Sequence, residues 1–148
     1  MRYLLLACAL LFTSPSVYAH GEEGHGLSIE KAWARKTSRT VSAAVYLIIR
    51  NDTHNLEYLR GVSTDIADNA MIHQSREVDG IMRMDHMSEL PIAPGESLAF
   101  EPGGYHIMLM GLNKPLEQGD VFTVTLDFEN AGQKPVIVEV TGLMGLQQ

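Results

Sequence analysis

Turn signals recur at short intervals along this chain, at Asn51-Asp52, Asp79-Gly80, Pro94-Gly95, Pro102-Gly103-Gly104, Gly119-Asp120 and Ala131-Gly132, with β-rich segments between them. Such spacing leaves room for strands and little else, and it predicts an all-β sandwich of about eight or nine strands. The clearest strand lies over Val121 to Phe128, where Phe122, Val124, Leu126 and Phe128 share one face while Thr123, Thr125 and Asp127 share the other. Val41 to Arg50, Met71 to Glu77, Ile81 to Met87, Tyr105 to Met110 and Val136 to Thr141 fit the same description less regularly. No helical period longer than about two turns, internal repeat or low-complexity linker interrupts the pattern.

The first residues bear on the compartment. Arg2 is followed by an apolar run from Tyr3 to Phe12 and by Val17-Tyr18-Ala19, a small-residue cleavage pattern, so residues 1–19 read as a signal peptide cleaved after Ala19. At 1.5 Å per helical residue that run spans roughly half of a 30 Å hydrocarbon core, so stable membrane insertion is not expected. A competing reading takes Leu5-Leu6-Ala7-Cys8 as a lipid-attachment box, but it leaves almost no hydrophobic region ahead of Cys8. Removing 19 residues from 148 leaves a mature chain of 129: a Gly/Glu-rich tail over 20–26 and one domain over 27–148. Cys8 leaves with the leader, so the exported domain has no thiol for a blue-copper site, a zinc ribbon or a disulfide. The formal charge of −7 becomes −8 without Arg2, and an acidic surface disfavours nucleic acid as a partner.

Chemistry concentrates in one stretch. Six of the eight methionines, Met71, Met82, Met84, Met87, Met108 and Met110, fall within forty residues that also hold His73, His86 and His106. Thioether and imidazole together suit Cu(I), whereas Zn²⁺ seldom takes a thioether and Ca²⁺ or Mg²⁺ wants hard oxygens that are not concentrated here. Neither donor forms a disulfide, so such a site keeps its ligands in an oxidising compartment.

The geometry follows from Asp79-Gly80, the preferred dipeptide of a two-residue type I′ hairpin. Val78 then pairs with Ile81, and the register carried outward sets Glu77 opposite Met82, Ser75 opposite Met84 and His73 opposite His86, all on one face. His73 and Met84 become diagonal neighbours, close enough for two long side chains to meet on one ion. After Gly103-Gly104, His106 and Met108 are two residues apart and share a face, while Tyr105, Ile107 and Leu109 take the other. Met82 and His86 stand on the ligand face of the hairpin as second-rank candidates. Methionine is also a common filler of apolar cores, and Met71, Met87, Met110 and Met144 are expected there.

The spacing His73, ten residues, Met84, twenty-one residues, His106, one residue, Met108 resembles the signature of the periplasmic CuA copper chaperone family, PCuAC. Further landmarks agree: Ala32-Trp33-Ala34-Arg35, Ala44-Val45-Tyr46-Leu47 with Asn51, Asp79-Gly80-Ile81-Met82, and the block from Pro102 to Leu112. The resemblance implies a cupredoxin-like, that is immunoglobulin-like, β-sandwich in the periplasm. It also implies one Cu(I), held by His73, Met84, His106 and Met108. The ion would be delivered toward the CuA-bearing subunit of cytochrome c oxidase in cooperation with a Sco-type thiol protein. Some family members end in a Met/His-rich tail; this sequence stops soon after Val140, so a second site of that kind is not expected.

Other readings remain open at this point. The same site serves equally for periplasmic copper storage or resistance. Cleavage after Ala19 would free the amine and imidazole of His20, which with His25 offers a Cu(II) site, and a copper-dependent oxidase built on that histidine is a further alternative. A β-sandwich whose methionines only pack is the third. No Ser-His-Asp motif, phosphate loop or paired-carboxylate signature supports an enzyme.

Overall fold

The computed structural model describes residues 26–142. The expected leader with Cys8, the histidines of the tail (His20 and His25) and Met144 lie outside the described residues. Among the described residues the chain forms β1 (Leu27–Arg35), β2 (Ser42–Asn51), β3 (Glu57–Ser63), β4 (Ala67–Val78), β5 (Ile81–Met87), β6 (Leu90–Ile92), β7 (Ser97–Phe100), β8 (Tyr105–Leu112), β9 (Val121–Phe128) and β10 (Gly132–Thr141). The total is ten rather than eight or nine, because β6 and β7, of three and four residues, each earn a place by pairing with a longer strand.

The strands hydrogen-bond in the order β5-β4-β8-β7-β2-β1-β10-β9-β3-β6, with β8 also pairing β2. The parallel contact of β1 with β10 joins a half made of β5, β4, β8, β7, β2 and β1 to a half made of β10, β9, β3 and β6. Between them lies one apolar core. β9 supplies Phe122, Val124, Leu126 and Phe128, as its alternation predicts, and Val45, Leu47, Ile49, Ile72, Ile107 and Leu109 meet them from the other half.

Two buried polar side chains tie the loops to this frame. Asn51 is fully buried: its amide donates to the carbonyls of Asn55 and Ile92 at 2.8 and 2.9 Å, and its oxygen accepts from the backbone and hydroxyl of Thr53. The Glu57 carboxylate accepts from the backbone N–H groups of Tyr58, Asn130 and Ala131, each at 2.9 Å, holding the β9–β10 turn against β3. Burial pushes this carboxyl up, but the N–H groups of Asn130, Tyr58 and Ala131 outweigh it and hold it below its ordinary 4.5. Its stabilisation is therefore full above that value and is lost as pH falls through the lowered one.

Replacing Asn51 by Ala removes the side-chain donor to the Ile92 carbonyl and the acceptor of the Thr53 N–H, and should cost about 1–3 kcal/mol in urea unfolding without changing the sheet content seen by circular dichroism.

Candidate metal centre

The hairpin of β4 and β5 has the register that its turn predicts: Val78 faces Ile81, Glu77 faces Met82, Ser75 faces Met84 and His73 faces His86. Asp79 and Gly80 both have positive φ, 54° and 75°, as a type I′ turn requires. On its other side β4 pairs with β8, setting His73 opposite His106 and Met71 opposite Met108. Facing residues of an antiparallel ladder share a side, so the four expected ligands stand on one face of three adjacent strands. The intervening Ile72 and Ile107 also face each other and are buried in the core, which turns the imidazoles and thioethers to the outer face.

His73 occupies the middle of this face. Its ring lies 5.8 Å from that of His86 and 5.9 Å from that of His106, edge-on to both. Burial, reinforced by the His106 and His86 rings, holds its pKa below the ordinary 6.5. Its Nδ1 is buried without a hydrogen-bond partner, the only such side-chain nitrogen or oxygen among the described residues. A nitrogen left in that state costs about 1–3 kcal/mol, a cost that a bound ion removes.

His106, only 5% exposed, is held differently: its Nδ1 lies 3.2 Å from the carbonyl of Gly104. A carbonyl can only accept, so the bond puts the proton on Nδ1 and leaves Nε2 with a free lone pair, the tautomer a metal ligand needs. Met108 is half-buried, whereas Met84 is 52% exposed on β5. Among the described residues no three His, Cys, Asp or Glu side chains come together closely enough to hold a metal ion by themselves. A site on this face has to draw on sulfur, which selects a soft ion.

Met82 and His86 also stand on this face, 60% exposed and exposed respectively. Two methionines expected in the core are there as well. Met71 faces Met108 and is half-buried, and Met110, two residues beyond Met108, is 42% exposed. Of the three described methionines expected in the core, Met87 packs against it. The signal for Met71 was present: Met71-x-His73 is the mirror image of His106-x-Met108, as an antiparallel pairing demands. Gly111 ends this run with φ of 69°, and a Cβ there would collide with the Asp68 carboxylate. Beside Met108 the same face carries Tyr46, its ring tilted by 40° against that of Trp33 with centroids 4.7 Å apart, and the Arg35 guanidinium lies 5.9 Å above the indole.

A family model described as “Putative lipoprotein LpqE-like” matches residues 27–140. The chain belongs to the LpqE-like family. Curated relatives of this LpqE-like protein include the “Putative lipoprotein Lxx21020” of Leifsonia xyli subsp. xyli, 30% identical over 145 residues that cover 97% of this chain and 86% of that one. An uncharacterized protein of Rickettsia prowazekii is 30% identical over 113 residues, 73% of this chain and 62% of its own length. Among solved structures, the copper-bound PCuAC domain from PmoF2 superposes with a TM-score of 0.66 at 22% identity, covering 80% of this chain and 94% of that domain. The apo form of DR1885 from Deinococcus radiodurans superposes with a TM-score of 0.62 at 22% identity, covering 98% and 99%. The LpqE-like chain thus has the cupredoxin-like sandwich of PCuAC domains, the fold class its sequence predicts.

A proton titration of the metal-free protein by NMR should find His73 with a midpoint below 6.5, rising toward that value when either His86 or His106 is replaced by Ala. Because the unfolded chain then takes up the proton first, stability should fall as pH drops below 6.5 and level off once the folded-state midpoint is passed.

Proposed function

We propose that this LpqE-like protein is an exported, non-enzymatic Cu(I) chaperone. It would hold one ion through His73, Met84, His106 and Met108 and pass it toward the CuA centre of cytochrome c oxidase, in cooperation with a Sco-type thiol protein. The observation that carries the reading is the unpartnered Nδ1 of His73, buried at the centre of a face where His106 and Met108 stand on one neighbouring strand and Met84 on the other. Likeness adds support: one PCuAC neighbour is copper-bound, and the Cu(I) form of DR1885 superposes at 25% identity with a TM-score of 0.56, covering 80% of this chain and 78% of that one. A periplasmic setting is supported by the apolar leader and by the lipoprotein naming of the family and of its Leifsonia relative.

The donor set accounts for both retention and release. Four neutral ligands leave the ion its single positive charge, and two of them, His106 and Met108, sit on an inner strand where the carbonyl of Gly104 fixes the imidazole. Met84 stands on the outermost strand and is exposed, so its bond is the one an incoming ligand reaches first. A thiolate binds Cu(I) more strongly than a thioether does, so exchange with a thiol-bearing partner runs outward, one bond at a time.

The test is an anaerobic Cu(I) titration against a chromophoric chelator. One tight equivalent is expected, weakened about tenfold or more by each of His73→Ala, Met84→Ala, His106→Ala and Met108→Ala, a loss of at least about 1.4 kcal/mol apiece. Binding indifferent to all four substitutions would mean that the cluster only packs. Loss of CuA assembly in a deletion strain separates delivery from storage.

A further inference from the structure

The outermost strand carries three donors, where the four-ligand site takes only one from it. β5 ends the strand order, and Met82, Met84 and His86 occupy alternate positions on its outer face. His86 is directly opposite His73, with its ring 5.8 Å away, and His73 lies at nearly the same distance from His106 on the other side. The central ligand therefore has an imidazole on each flank. One of them, His106, is buried and tied to Gly104, whereas His86 is exposed on the edge strand.

We propose that His86 is an exchange ligand, the imidazole that takes Met84's place on the ion when the thioether lets go. This rests on the Cu(I) site described above and adds a step to it. The two side chains are two residues apart on one face of one strand, so both approach the ion from the same open side. Access from the opposite side is closed by His106 and by the half-buried Met108. In the step, the bond from copper to the Met84 sulfur breaks and a bond to a neutral His86 nitrogen forms. No electron or proton moves, the coordination number is kept, and the ion stays at Cu(I). The three imidazoles do not already form a metal-binding trio, so His86 has to move inward for this purpose, as an exchange ligand must and a permanent one need not. Its effect is to keep copper on the protein during the interval in which a partner's donor displaces the most accessible bond.

X-ray absorption of the full chain loaded anaerobically with Cu(I) reads the donors directly. The unaltered protein is expected to show two imidazoles and two sulfurs, Met84→Ala three imidazoles and one sulfur, and the pair Met84→Ala with His86→Ala two imidazoles and one sulfur. Both side chains are exposed, so truncating them leaves the core intact, and thermal unfolding of the metal-free variants checks this. If Met84→Ala shows only the two imidazoles of the unaltered protein, so that the double variant looks the same, the exchange role is overturned while the four-ligand site stands. If the unaltered protein itself lacks two imidazoles and two sulfurs, the site and the exchange step fall together.

Discussion

The pairing of Ile72 with Ile107 governs how this face is built. Both side chains are sealed in the core, at 2% and 0% exposure, and together they lock β4 to β8 in one register. A slip of β4 by one residue against β8 would bring Ile72 out of the core, at about 1.5–3 kcal/mol, and drive His73 into it. Polar imidazoles have no partners there. The position of the donors on the outer face thus depends on apolar residues on the opposite face.

That arrangement lets the molecule carry a group that is locally unfavourable. An unpartnered buried nitrogen on His73 works against folding, and it persists because the surrounding ladders over-determine where the ring can be. The same rigidity explains the gradient across the three strands. His106 on β8 is buried and fixed, His73 on β4 is half-buried, and Met84 and His86 on β5 are exposed at the edge. Proceeding outward from the core, each donor is less constrained than the last, which gives the cluster a closed side and an open one.

Much of this was legible in the sequence where local chemistry decides the outcome. Asp79-Gly80 specifies a two-residue turn, and from it the facing of His73 with His86 and of Ser75 with Met84 follows by counting. His106-x-Met108 shares a face for the same reason. The contact between β4 and β8 is less legible, since no short turn links residues 73 and 106: only the mirrored spacing of Met71-x-His73 and His106-x-Met108 hints at it, while the frequency of methionine in cores points Met71 the other way. β1 is hidden in the sequence because a bulge between Glu30 and Trp33, with Lys31 at φ of 54°, breaks its alternation. A similar irregularity at Gly61 hides β3, and Pro91 within a three-residue strand hides β6.

The aromatic pair beside the methionines has a practical meaning. Trp33 is the one tryptophan of the 148 residues, and it packs against Tyr46 on the same outer face as Met108, only two strands away. Its indole is half-buried and lies under the Arg35 guanidinium, so its emission depends on the order of this face rather than on that of the core. The protein therefore contains a built-in fluorophore at the edge of its donor cluster, and events on that surface can be followed by light without attaching a label.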